Sequence, residues 1–187
     1  IKRLEKEQRN VPDYLKIAKS KKYYNGLDVL TATGKIRTIM RPDGTLRFND
    51  MKKILSPKDY NQDASWYDID GVALVEFHSK ANALGQNSML ILEEAIDAVS
   101  NSKMKGIIVH NDSQHFSCGV NLNSVRLFYE NEDWDGLDKF LKHFQDTVHK
   151  LAVAEFPTIV APVGLSLGGG FEVVLHAKEV ICHANSN

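Results

Sequence analysis

The stretch Ser166-Leu167-Gly168-Gly169-Gly170-Phe171-Glu172 decides the fold, because it joins a strand-like run to a helix-like run. The apolar residues 158–163 precede it, and residues 173–176 continue it as a helix. Glycines at such a junction let backbone N–H groups approach a ligand closely, where the unpaired donors and dipole of the first helical turn attract negative charge. Glu172 lies just inside the helix. The stretch therefore predicts an oxyanion site with an acid/base group beside it.

An earlier segment of the chain has the same arrangement. Residues 106–111 form a run typical of a buried strand, and after a polar turn comes a tight bend, residues 115–122, with small side chains. Two strand-end loops of this kind can each supply one N–H group to a single developing oxyanion. The two segments together predict an oxyanion hole built from two loops.

These loops resemble the signature loops of the crotonase (enoyl-CoA hydratase/isomerase) superfamily. Residues 116–122 and 161–172 occur in the family's order, and residues 77–84 are similar to the family's first loop, which lines the CoA site. The resemblance covers residues 64–187. It implies an α/β fold, the ββα spiral of the ClpP/crotonase type, of which this chain carries the amino-terminal portion.

The resemblance also implies roles for individual residues. The backbone N–H groups of Cys118 and Gly169 would bind the thioester oxygen, and Glu172 would match the first of the hydratases' two catalytic glutamates. Asn121 stands where an aspartate is common in the family. The contacts to substrate and CoA implied in the same loops are His78, Lys80, Ala81, Asn82, Phe116, Gly119 and Gly168.

The function that follows from the resemblance is that of an enoyl-CoA hydratase, a lyase of fatty acid β-oxidation. Hydration needs a water activated toward C3 of the 2-enoyl thioester and a proton delivered at C2, work that the family's hydratases share between two carboxylates. The second glutamate belongs to a loop beyond Asn187, so we expect this chain to be truncated and inactive by itself. Enoyl-CoA isomerisation, for which one carboxylate can suffice, and a non-catalytic acyl-CoA-binding or oligomerisation module remain open.

Residues 1–63 depart from the crotonase pattern and are predicted to be a linker. Residues 10–15 resemble the joint in bifunctional 3-hydroxyacyl-CoA dehydrogenase/enoyl-CoA hydratases, where the dehydrogenase comes first. No Gly-x-Gly-x-x-Gly nucleotide motif occurs here. We therefore expect NAD only in a module upstream, and no cofactor for the hydratase, because CoA is part of its substrate.

Local patterns predict the elements on either side of residue 64. Two short helices are expected within residues 2–22, interrupted before Pro12, and Asp43-Gly44 predicts a hairpin that pairs residues 36–40 with 45–48. In the second part, strand and helix periodicities predict two strands around Asp70-Gly71 and two amphipathic helices. Those strands cover residues 65–69 and 71–77, and those helices cover residues 88–99 and 134–152.

Composition limits the partners and the compartment. A net charge of −1 gives no electrostatic reason to expect nucleic acid or an anionic membrane, and no apolar run is long enough to span a bilayer. Cys118 and Cys182 suit reduced thiols, which favours the cytoplasm. His143 and His149 lie on different faces of one helix, so no metal site is expected. The expected partners are an acyl-CoA thioester and, by the resemblance, further copies of the chain in a trimer.

Overall fold

The computed structural model describes residues 1–18, 23–25 and 27–187, and the chain divides into two compact units, Ile1–Leu55 and Ser56–Asn187. The smaller unit contains short helices and a three-stranded antiparallel sheet of order β1-β2-β3. Its elements are α1 (Lys2–Lys6), α2 (Asp13–Ala18), β1 (Tyr24–Asn25), β2 (Asp28–Leu30), β3 (Ile36–Thr38) and α3 (Phe48–Met51). The two predicted short helices are confirmed, although residues 19–22 of the range lie outside the described residues.

The predicted hairpin around Asp43-Gly44 is wrong. Residues 36–38 pair with the preceding strand β2, and the segment after the turn enters helix α3. The reason lies in the loop between β2 and β3. The Thr31 side chain bridges the two ends of this loop, because its Oγ1 donates to Lys35 O at 2.9 Å and accepts from Lys35 N at 3.1 Å. The turn at Asp43-Gly44 does form, with Thr45 N donating to Pro42 O at 3.0 Å, but Arg41 binds Asp50 at the start of α3 instead of extending a strand.

The larger unit is built on a six-stranded mixed sheet of order β4-β5-β6-β7-β8-β9. The first three strands are antiparallel, and the last four run parallel to one another. Helices follow the strands. The elements are β4 (Asp59–Tyr60), β5 (Ala64–Ile69), β6 (Val72–Phe77), α4 (Gln86–Ser100), β7 (Gly106–His110), α5 (Leu122–Glu130), α6 (Trp134–Val153), β8 (Thr158–Ala161), α7 (Gly169–Leu175) and β9 (Glu179–Val180).

The strands of this sheet follow the sequence patterns closely. β5 and β6 pair through all six of their positions around the turn at Asp70-Gly71, where both residues have positive φ. Such left-handed pairs are the geometry of two-residue hairpin loops, which explains the strength of the Asp-Gly signal. β7 is largely buried, in agreement with its nearly continuous apolar run.

Helices α4 and α6 cover the sheet. α4 buries Met89, Leu92 and Ala95 in the core, and α6 contributes Phe144, Val148 and Leu151 from its apolar stripe. Burying a Leu, Met, Val or Phe side chain stabilises the fold by about 1.5–3 kcal/mol. The layers therefore form one core, which holds the carboxyl ends of the parallel strands in fixed positions.

A charged cluster joins the outer faces of the two helices. Glu93 of α4 accepts from Lys150 Nζ at 2.8 Å and contacts His143 Nε2 at 2.9 Å, both on α6. The Lys150 hydrogen bond, followed by that of His143, holds the pKa of the Glu93 carboxyl below its usual value. His143 thus has a side-chain partner on the neighbouring helix.

Candidate active site

The candidate site lies where three parallel strands end. β6, β7 and β8 each lead into a loop at the same edge of the sheet: the first loop is residues 78–85, the second 111–121 and the third 162–168. Because carboxyl ends of parallel strands meet at one edge, loops distant in sequence become neighbours, and this edge is where α/β sheets bind ligands. The three segments quoted from the sequence are brought together here.

The first and second loops are joined by a short parallel bridge. Leu84 N donates to Gly119 O at 2.8 Å, and Asn121 N donates to Leu84 O at 2.7 Å. Leu84 therefore bonds to the residues on both sides of Val120, and the amide of Val120 points away from Leu84. Within the described residues, the Val120 N–H has no hydrogen-bond acceptor.

Cys118 occupies the predicted loop, but its amide is already used. Cys118 N donates to Ala81 O at 3.2 Å, a bond that holds the first loop against the second. The thiol is exposed and free. Among residues 116–121, the one amide without an acceptor in the described part of the chain is therefore that of Val120, two residues beyond the position that the resemblance implied. Sequence reasoning missed Val120 because nothing local marks which N–H a neighbouring loop leaves unpaired.

The third loop brings Gly169 against Val120. Gly168 has a φ of +46° and precedes α7, so that Gly169 becomes the first helical residue. Among the described residues its N–H also has no acceptor, as is usual in a first helical turn. A Cβ on Gly169 would lie 2.8 Å from Val120 Cγ2 and 2.8 Å from Phe144 Cζ, so only glycine fits this contact.

Glu172 follows Gly169 by almost one helical turn. Residues three apart share a face of a helix, so Glu172 lies on the same face of α7 as Gly169. Glu172 is exposed, and within the described part of the chain its carboxylate has no hydrogen-bond or ion-pair partner. It is available to a ligand or to groups outside residues 1–187.

An open cleft of about 790 Å³ runs along these loops. Val120 and Gly169 both line it, together with Lys80 and Ala81 of the first loop and Gly168 of the third. A smaller and more apolar cavity of about 300 Å³ shares Ala81 and Cys118 with the cleft and continues past Asn82 to His115 and Leu165. The volumes are in the range of sites for small organic ligands.

Other residues implied by the resemblance take supporting positions. Phe116 is fully buried and packs edge-on against Phe77, with ring centroids 6.2 Å apart, so its side chain does not reach the cleft. Asn82 turns its side-chain amide inward, where it donates to Ser113 Oγ at 3.0 Å and His115 O at 2.9 Å. His78 is exposed and lines neither cavity.

Gly119 and Asn121 determine how the second loop packs and where it ends. Gly119 has a φ of +94°, and a Cβ there would lie 2.8 Å from Leu167 O, so the second and third loops can approach only through glycine. Asn121 caps α5 by accepting from Asn123 N at 3.1 Å. Asparagine caps a helix as well as aspartate does, so its substitution for the family's usual aspartate preserves the helix start.

The residues that the structure describes contain no group of three or more histidine, cysteine, aspartate or glutamate side chains arranged to hold a metal ion. None of the helices in the described ranges has the length and apolar character needed to cross a bilayer.

Known proteins are similar to this chain in both sequence and structure. The family model described as enoyl-CoA hydratase/isomerase matches residues 68–187. A Bacillus subtilis protein named "Probable 3-hydroxyacyl-CoA dehydrogenase" is 28% identical over 157 residues, covering 83% of this chain but only 20% of its own length. The mitochondrial methylglutaconyl-CoA hydratase of Mus musculus is 31% identical over 96 residues, covering 50% of this chain and 29% of its own length. The chain thus spans a minor part of these relatives.

The fold has a counterpart among solved structures. The crystal structure of an enoyl-CoA hydratase from Thermoplasma volcanium matches with a TM-score of 0.60 at 18% identity, over 67% of this chain and 50% of that one. At this identity the likeness concerns the fold alone, and it confirms the predicted crotonase-type α/β fold.

Proposed function

Because the chain belongs to the enoyl-CoA hydratase/isomerase family, we propose that the intact protein adds water reversibly across the 2,3 double bond of 2-enoyl-CoA in fatty acid β-oxidation. The observation that carries the proposal is the pair of amides of Val120 and Gly169. They belong to loops from different strands, line one cleft, and have no acceptor within the described residues. Two neighbouring backbone donors on the wall of one cleft, without an acceptor among the described residues, are available to a ligand.

The acceptor that we propose for these amides is the thioester carbonyl oxygen. When water adds at C3, the electrons of the double bond move toward the thioester and place negative charge on that oxygen. Two N–H groups fixed by the loops stabilise this charge without having to reorganise. Removing one such donor typically costs about 2.7–4 kcal/mol of transition-state stabilisation, so the pair can supply a large part of the catalysis.

Glu172 is the proposed proton-transfer group. Its carboxylate takes a proton from the attacking water as the C3–O bond forms. As the enolate collapses, C2 receives a proton either from the Glu172 carboxyl itself or from a second carboxyl group, so that the elements of water are added without any redox change. A positioned carboxylate contributes about 10²–10⁴-fold to such a step. We propose that a second carboxylate, carried outside residues 1–187, shares this work. No cofactor is required beyond the CoA of the substrate.

The cleft is proposed to hold the CoA part of the substrate. Lys80 is exposed at its edge, where an ammonium group suits the phosphates of CoA. Ala81 and Gly168 offer backbone and little bulk, which allows a narrow pantetheine chain to pass between the loops. The smaller cavity beyond Ala81 and Cys118 extends the space available to a thioester ligand.

The wider context is also a proposal. The dehydrogenase name of the Bacillus subtilis relative, and the small share of that protein that this chain covers, support an upstream 3-hydroxyacyl-CoA dehydrogenase that binds NAD. In that arrangement residues 1–63 form the linker and residues 64–187 the hydratase part. We further propose a homo-oligomer, with a trimer as the family's usual state, and a cytoplasmic location, since free cysteines suit a reducing compartment.

The test is a substrate comparison on the intact protein. Loss of enoyl absorbance with 2-enoyl-CoA, together with formation of the 3-hydroxyacyl product, is the expected result. Conversion of 3-enoyl-CoA to 2-enoyl-CoA without hydration would replace the proposal by isomerisation, which Glu172 as the single carboxylate of α7 could perform. Tight acyl-CoA binding with neither reaction would indicate a binding module.

A further inference from the structure

Asn111 is a buried polar residue between the first two loops. It directly follows β7 and is 1% exposed. Its side chain makes two hydrogen bonds: Oδ1 accepts from Phe77 N at 2.7 Å, and Nδ2 donates to Phe116 O at 2.5 Å. Phe77 is the last residue of β6, immediately before the first loop, and Phe116 immediately precedes Ser117 in the second loop. One side chain thus binds the backbone immediately before the first loop and the backbone in the middle of the second loop.

From these points the two loops are bonded along their length. Ser117 Oγ donates to Asn82 O at 2.7 Å, Cys118 N donates to Ala81 O at 3.2 Å, and the Leu84 bridge follows. The free amide of Val120 lies at the far end of this series. The direction of the Val120 N–H therefore depends on how the two loops are aligned at the other end of this series, where Asn111 lies.

The first loop needs such external support. Ala81 and Asn82 are consecutive residues with φ of 56° and 50°, a left-handed conformation that is unfavourable for alanine. Strained backbone persists only where its surroundings determine it. Losing Asn111 would also leave a buried N–H and a buried carbonyl without partners, which typically costs about 1–3 kcal/mol for each group. The loops would be expected to shift to satisfy them.

We propose that Asn111 is a positioning residue that directs the amide of Val120 toward the thioester oxygen. It does not touch the substrate, because it is buried and lines neither cavity. It acts through Phe77 and Phe116 on the alignment of the two loops. The inference rests on the proposed function, since it concerns the oxyanion hole of that same site.

The test compares N111A with T158V in the intact protein. Thr158 is a matched control: it is 1% exposed, its Oγ1 donates to Leu151 O at 3.1 Å and accepts from Lys178 N at 3.0 Å, and it lies at the opposite end of its strand from the site. Both variants remove one buried donor and one buried acceptor. The measurements are Tm, kcat for 2-enoyl-CoA, Kd for a saturated acyl-CoA, and the absorbance shift of bound 4-dimethylaminocinnamoyl-CoA, an enoyl thioester whose spectrum moves to the red when its carbonyl is polarised.

Both variants should lower Tm, but only N111A should affect the chemistry. We expect N111A to lower kcat by about 10²-fold, the cost typical of a misplaced catalytic group, with a smaller red shift and little change in Kd. T158V should keep the wild-type kcat and red shift. An N111A protein that matches T158V in both readouts overturns the inference.

If N111A does not fold, N111D replaces it with the same expected results. The aspartate preserves the volume and the bond from Phe77 N, but when ionised it cannot donate to Phe116 O. Failure of both variants to fold while T158V folds would also overturn the positioning role, because Asn111 would then be required for folding. If the wild type neither hydrates 2-enoyl-CoA nor shifts the probe spectrum, the proposed function is overturned. If the wild type is active and the Asn111 variants keep its kcat and red shift, this inference alone is overturned.

Discussion

Val120 and Gly169 touch across two loops, with a Cβ on Gly169 placed only 2.8 Å from Val120 Cγ2. The contact holds together the two loops that carry the free amides, and it leaves no room for a side chain on Gly169. The glycine run of the third loop is therefore a requirement of close approach as well as of backbone conformation.

Gly169→Ala should disable the site through this contact. The added methyl group must displace the Val120 loop or the Phe144 ring, and either movement separates the two donors. We expect kcat for 2-enoyl-CoA hydration to fall by about 10²–10³-fold, similar to the loss of one oxyanion donor. Gly85→Ala is the control, because a Cβ there meets nothing closer than 3.9 Å. Equal kcat in the two variants would contradict the close-packing explanation.

The choice between Val120 and Cys118 can be tested without changing a side chain. Replacing either residue by its α-hydroxy acid turns the amide into an ester, which removes the N–H and keeps the side chain. The ester also weakens the preceding carbonyl as an acceptor, and this effect is matched in the two variants because Gly119 O and Ser117 O each accept one backbone hydrogen bond. The ester at Val120 should reduce kcat by about 10²–10³-fold, because it deletes an oxyanion donor. The ester at Cys118 should chiefly lower Tm, because it deletes the bond to Ala81 O. The reverse ranking of kcat would restore Cys118 as the donor.

The sequence predicted the loops of this site better than the direction of their amides. The glycine run, the helix behind it and the position of Glu172 are local features, and local features can be recognised in a sequence. Which N–H stays free in the second loop depends on Leu84, which is 36 residues away from Val120 in the chain and pairs on both sides of it. Such a register follows from packing, so no pattern within residues 115–122 could reveal it.

The smaller unit illustrates the same limit. Asp43-Gly44 does form a turn, as its residues favour, but a turn does not decide which segments pair beside it. Thr31 closes the alternative loop with its side chain and gives residues 36–38 a partner in β2. For Asn111, likewise, the sequence pattern indicates only the end of a strand, because its two hydrogen bonds join backbone groups that are distant in sequence.

Stability should depend on pH through Glu93. The hydrogen bond from Lys150, with that from His143, lowers the pKa of this carboxyl in the folded state below the ordinary 4.5. A lowered folded-state pKa gives stability that is present above the unfolded-state value and is lost as the pH falls through the folded-state value. Glu93→Gln should therefore reduce the free energy of unfolding by about 1 kcal/mol at neutral pH, the upper range for partly exposed pairs.

Urea unfolding at a series of pH values measures this effect. The difference between wild type and Glu93→Gln should shrink as the pH falls below 4.5. Asp146→Asn is the control, because its pair with Lys142 on α6 is exposed and should contribute almost nothing. A difference that stays constant over the pH range would mean that Glu93 contributes through packing rather than through its charge.

Glu172→Gln addresses the proposed chemistry most directly. Glutamine keeps the size and hydrogen-bonding ability of the side chain but cannot exchange a proton, so kcat should fall by about 10²–10⁴-fold. Because Glu172 is exposed and has no partner among the described residues, the fold should not change, and the Kd for acyl-CoA should stay near the wild-type value. Glu155→Gln, at an exposed position between α6 and β8, should leave both quantities unchanged. Enoyl absorbance measures kcat and titration calorimetry measures Kd, so the two experiments separate proton transfer from substrate recognition. An unchanged kcat would remove Glu172 from the mechanism. A loss of affinity would assign it to substrate recognition.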